Sequence, residues 1–135
     1  MNIVQYLNCN EFKNFNDVLF SFIDESGQKD SEIYKKVDID RKLFSKIRCD
    51  SNYIPKKNVI IKLSLSLKLN RTDFNKLLNS AGYSLDNTKF DQIISYCLDN
   101  KVYDLDQVND YLYTFCNASL WAIIVASQAT FLFYK

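Results

Sequence analysis

Between positions 39 and 48 the chain reads Ile-Asp-Arg-Lys-Leu-Phe-Ser-Lys-Ile-Arg, a run dense in side chains that can do chemistry. Arg41 can fork onto a guanine edge, Lys42 can address phosphate or guanine, and Ser45, Lys46 and Arg48 add further donors. Lys56 and Lys57 follow Pro55, where the amide groups of a helix start could also meet a phosphate. The chemistry this set offers is recognition of a polyanion.

Bond-making chemistry is poorly provided for. The 135 residues include no His, which removes imidazole bases, the Ser-His-Asp and Cys-His nucleophile systems and most zinc sites. Glycine occurs only at 27 and 82, so there is no glycine-rich phosphate loop. Cys9, Cys49, Cys97 and Cys116 are widely spaced and form no CxxC pair, so neither a metal knuckle nor a redox motif is present. Acidic pairs such as Asp104 and Asp106 read as helix caps, because nothing nearby would raise a carboxyl pKa. The expectation is a protein that is not an enzyme, with no cofactor and no metal site.

Net charge is +1, yet its distribution is uneven. From position 29 to 71 there are twelve basic residues against five acids, flanked by acidic ends. A partner carrying phosphates would meet the middle. An even number of cysteines leaves disulfides formally open, but residues 1–10 have neither a basic start nor an apolar run. A cytoplasmic protein with reduced thiols is therefore expected.

Helices must position these groups. Phe15, Val18, Leu19, Phe22 and Ile23 recur at three- and four-residue spacing and stop near Gly27, which predicts a first helix. Residues 29–36 read as a short second helix with Asp30 and Ser31 at its cap. A third runs to Arg48 from a cap at Asp38 or Asp40, with Leu43, Phe44 and Ile47 inward. Pro55 opens a fourth over 56–69, although alternation from 61 to 69 keeps a strand in competition. A fifth covers 72–80, capped by Asn70 or Thr72 and ended by Ala81 and Gly82. Residues 88–100 and 104–115 then form a helical hairpin, the latter presenting Leu105, Val108, Leu112 and Phe115 inward.

A short helix, a tight turn and a second helix with an apolar back and a basic front is the helix-turn-helix arrangement. Residues 29–82 resemble the five-helix domain of the phage repressor and Cro type, found in the xenobiotic-response-element class of bacterial transcriptional regulators. The run at 39–48, a polar loop, Pro55 and the Leu-rich fourth helix follow that family's recognition helix, loop, proline and fourth helix in order, and residues 69–78 match its fifth. The family's usual Gln at the start of the second helix is replaced by Lys29 and Asp30, and Val37-Asp38 occupies the turn where a small residue is usual. Residues 34–48, Ala81-Gly82-Tyr83, Lys89-Phe90-Asp91 and Val102-Tyr103-Asp104 also resemble a narrower bacterial group of uncharacterised small proteins and C-terminal modules behind enzymatic domains.

The resemblance implies an all-α chain made of a repressor-like domain over 1–83, a helical hairpin over 84–116 packed on it, and an apolar tail over 117–135. It implies binding of double-stranded DNA through Arg41, Lys42, Ser45, Lys46, Arg48, Lys56 and Lys57, with a homodimer to present two reading helices. The narrower likeness implies the alternative, a protein-binding module on the same fold, of the kind that would act in phage defence or stress responses. The tail carries no charge between Asp110 and Lys135 and nearly reaches the roughly 20 apolar residues of a membrane span, but polar residues dilute it, so packing on the hairpin or pairing with a second copy is the leading expectation.

Overall fold

A computed structural model describes residues 1–9 and 14–120, and among them every regular element is a helix. In chain order these are α1 (Ile3–Cys9), α2 (Phe15–Ser26), α3 (Asp30–Lys36), α4 (Arg41–Cys49), α5 (Lys57–Ser66), α6 (Arg71–Ser80), α7 (Lys89–Asp99) and α8 (Leu105–Cys116).

Local sequence accounts for most boundaries. Asn14, Asp40, Asn70, Thr88 and Asp104 each accept a hydrogen bond at the first turn of the helix they precede, satisfying amides that have no intrahelical partner. Of the alternative caps read from the sequence, Asp40 serves α4 and Asn70 serves α6. The cap of α3 differs from expectation. Lys29 is the N-cap, and the carboxylate of Glu32 accepts from its backbone N–H at 2.8 Å, so Asp30 is left free for another use. Gly27 closes α2 with φ +68°, a left-handed conformation that glycine adopts without a Cβ penalty.

The helix α1 was not legible from hydrophobic periodicity because its apolar residues Ile3, Val4 and Leu7 are exposed. Its signal is a reciprocal cap: Gln5 N–H donates to Asn2 Oδ1 at 2.8 Å and Asn2 N–H donates to Gln5 Oε1 at 3.1 Å.

The segment that competed as a strand is α5. Every residue from Ile60 to Leu67 is buried, so its pattern carries no polar face by which a helical period could be recognised. Its two serines are accommodated by hydrogen bonds: Ser64 donates to Ile60 O and Ser66 to Ile33 O. The helix ends at Ser66, three residues short of the expected limit, because Lys68 turns to φ +55° and Leu69 N–H returns to Ser64 O.

Around α5 the other helices close a single core. α3 packs on α5, α5 on α6, α2 on α6, α6 on α7 and α7 on α8. One cluster of buried apolar residues runs from Phe15 through Ile60, Ile61, Leu77 and Ile94 to Leu112 and Leu120. The hairpin therefore shares the interior of the helices before it. Phe115, expected inward, is 59% exposed instead, and Leu112 is the last fully buried residue of α8.

The start of the tail folds back. Asn109 Oδ1 accepts from Leu120 N–H at 2.8 Å and from the Ser119 hydroxyl at 3.1 Å, and Leu120 is buried. The remainder of the tail, 121–135, lies outside the described residues. Among the described residues no helix is long and apolar enough to cross a membrane, and no cluster of potential ligands could hold a metal ion. Cys49, Cys97 and Cys116 are free thiols.

Candidate nucleic-acid interface

The connection from α3 to α4 covers residues 37–40. Val37 and Ile39 anchor it in the core, and Asp38 makes the bend with φ +56°. Asp40 then starts α4 by accepting from Lys42 N–H at 3.1 Å, which engages its carboxylate locally.

The back of α4 is fixed by its apolar residues. Phe44 and Ile47 are buried, and the Phe44 ring meets Phe20 edge-on at 6.2 Å and Tyr34 at 5.3 Å. Asn16 adds a polar tie by donating to Ile47 O at 2.7 Å. With 3.6 residues per turn, that back leaves Arg41 and Ser45 on one outward stripe and Lys42 and Lys46 on the next. All four are exposed. Among the described residues neither Arg41, Lys42 nor Lys46 has an ion-pair partner, while Lys46 lies 4.5 Å from the centroid of the Tyr53 ring.

Arg48 is placed differently. It falls four residues after Phe44, on the stripe that borders the core, and its guanidinium lies 4.1 Å from the Phe20 ring centroid. Its Nε and a terminal nitrogen each donate to an Asp30 carboxylate oxygen at 2.7 Å, a two-pronged pair between α4 and the first turn of α3. Arg48 thus joins the two helices.

The two lysines after Pro55 also separate. Lys56 is exposed at the N-cap of α5. Lys57 points the other way, with Nζ at 2.8 Å from Asp91 Oδ2, 2.9 Å from Ser84 O and 3.7 Å from Asp86. Asp91 is 3% exposed and accepts a further hydrogen bond from Asp86 N–H at 2.6 Å. Lys57 therefore ties α5 to the start of α7.

Of the seven residues read from the sequence, the fold gathers Arg41, Lys42, Ser45 and Lys46 on one exposed surface, places Lys56 at the start of the next helix, and commits Arg48 and Lys57 to internal ion pairs. The partners Asp30 and Asp91 lie 18 and 34 positions away, beyond the reach of any local pattern. The position of Arg48 was accessible from its four-residue offset to Phe44. Compared with family models, with curated proteins and with solved structures, the chain gives no match in any of the three.

Proposed function

We propose that this chain is a cytoplasmic double-stranded DNA-binding transcriptional regulator of the repressor and Cro helix-turn-helix type, and not an enzyme. The observation that carries this reading is the exposed face of α4, where Arg41, Lys42, Ser45 and Lys46 stand opposite the buried Phe44 and Ile47. A helix held from behind in this way can enter a major groove, with Arg41 and Lys42 at its early turns reaching base edges. Lys56 supplies a phosphate contact from the head of α5. Support comes from the contacts of α3 with α4 and α5 and of α6 with α2, which in this reading are those of the helix-turn-helix pair, the buried fourth helix and the fifth. Arg48 and Lys57 are left out of the DNA contact and serve to hold the reading helix and its neighbours.

Selection from random duplex DNA with the purified full chain tests this. An enriched sequence is expected, with affinity falling about tenfold or more between 50 and 200 mM salt. The double substitution Arg41→Ala and Lys42→Ala should abolish enrichment while leaving the helical circular dichroism unchanged. Recovery of no enriched sequence would overturn the reading.

A second surface favours a protein contact. Ile93, Tyr96, Tyr111 and Phe115 line an apolar hollow of about 310 Å³ on the outer side of α7 and α8. This surface suits the homodimer that paired half-sites require, or the protein partner of the alternative reading in which the fold acts as a docking module. Solution mass of the full chain and of Phe115→Glu separates the two, since loss of a dimer in the variant identifies the hollow as the self-contact.

A further inference from the structure

A cleft of about 530 Å³ opens where the end of α3, the α5–α6 connection and the α7–α8 turn meet. Three lysines from these three places, Lys36, Lys68 and Lys101, line it. Among the described residues none of them has an ion-pair partner, and Lys36 Nζ donates only to the neutral amide of Gln28, at 2.6 Å. Asp104 is the one acid at the cleft, so three positive charges face a single negative one.

Lys68 and Lys101 stand in the left-handed region, with φ +55° and +57°, just past the ends of α5 and α7. Glycine is the usual residue at such helix ends; here both positions carry a lysine that lines the cleft. The floor is apolar, from Val37, Leu65 and Leu105, and the half-buried ring of Tyr103 forms one wall. A second cleft of about 580 Å³ has the opposite character, since its one cation, Arg71, is paired with Asp99 and Asp86 is also present.

We infer that the lysine-lined cleft binds a nucleoside diphosphate. Its volume lies in the range of small-molecule sites, roughly 300 to 1,000 Å³. The ammonium groups of Lys36, Lys68 and Lys101 neutralise the phosphates, the Tyr103 ring offers a stacking face to the base, and the Asp104 carboxylate and Gln107 amide suit sugar hydroxyls. The inference stands independently of DNA binding, because the cleft uses none of the residues assigned to the exposed face of α4.

Isothermal titration of the full chain with adenosine diphosphate, adenosine and inorganic phosphate is the test. Adenosine diphosphate should give a saturable one-to-one isotherm, with adenosine and phosphate each weaker by about tenfold or more. Lys68→Gln and Lys101→Gln should each weaken the diphosphate by about tenfold, and Lys36→Gln provides a third test away from the left-handed positions. Lys76→Gln on α6 and the Arg41→Ala, Lys42→Ala pair should leave it unchanged, with circular dichroism confirming that each variant is folded. Absence of diphosphate binding, equal binding of phosphate alone, or binding that survives all three cleft substitutions would overturn the inference. Loss of diphosphate binding in the Arg41 and Lys42 variant would also overturn it, by placing the ligand on the DNA face.

Discussion

The ammonium group of Lys57 sits 2.8 Å from Oδ2 of Asp91, joining the first residue of α5 to the first turn of α7. The two ends of this pair differ in exposure: the Asp91 side chain is 3% exposed and that of Lys57 is 23%. Removing the lysine would strand a buried carboxylate, whereas removing the carboxylate leaves an ammonium that can still reach water.

Lys57→Met is accordingly expected to cost about 2 kcal/mol, below the 3–5 kcal/mol of a fully buried broken pair because water reaches the lysine side. Asp91→Asn should cost less, and the double variant should be more stable than Lys57→Met alone. Urea denaturation of the three variants measures this. A double variant whose loss equals the sum of the two singles would show that the groups are energetically independent.

On the proposed DNA-binding reading, Arg48 separates stability from recognition on α4. Its carboxylate partner Asp30 and the Phe20 ring lie near the surface, where an exposed ion pair contributes about 0–1 kcal/mol and an exposed cation–π contact about 0.5–1 kcal/mol. Arg48→Ala should therefore lower stability by about 1 kcal/mol and change DNA affinity by less than about twofold. Arg41→Ala should do the reverse, weakening DNA binding by about tenfold with little effect on the urea midpoint. A larger affinity loss for Arg48→Ala than for Arg41→Ala would return the guanidinium of Arg48 to the DNA face.

Helices with one polar face were legible from periodicity, whereas α5 was expected as a helix only in competition with a strand and α1 carried no periodic signal. In α2 the spacing of Phe15, Val18, Leu19, Phe22 and Ile23 matches the buried set residue for residue, because one side of the helix faces water. In α5 burial on all sides removed that contrast, and in α1 the apolar residues face outward, so periodicity could not mark a core side. At the candidate site the same division holds. Exposure of Arg41, Lys42, Ser45 and Lys46 follows from helical geometry once Phe44 and Ile47 are placed inward. The pairing of Lys57 with Asp91 depends on how α7 returns to α5, a tertiary relation that no local spacing encodes.

The thiols should differ in reactivity. Burial pushes the Cys97 thiol up to about 11, which leaves very little of the reactive thiolate at pH 8, while Cys49 is exposed on α4. Iodoacetamide at pH 8 should label Cys49 within the native protein and reach Cys97 only after denaturation, as read by peptide mass spectrometry. Comparable native labelling of both would show that the core around Ile94 and Leu98 opens readily.

Lys62 gives stability a dependence on pH at the alkaline end. It lies in the buried stretch of α5 at 9% exposure, and desolvation lowers its pKa from 10.5, partly opposed by the charge of Asp38. A lowered pKa means that the charged form is less favourable folded than unfolded, so the penalty is fully present below the folded value. It fades as pH rises from the folded value towards 10.5 and is absent above it. Lys62→Met, which keeps the length of the stem and discards the charge, should therefore be more stable than the parent well below the folded value, and this advantage should shrink as the pH rises towards 10.5. Urea midpoints of parent and variant across that range test the sign directly, with the raised Cys97 pKa common to both and cancelling in the difference. A constant difference would locate the effect of the substitution in packing, and a variant less stable well below the folded value would show that the attraction of Asp38 outweighs the loss of water around the ammonium.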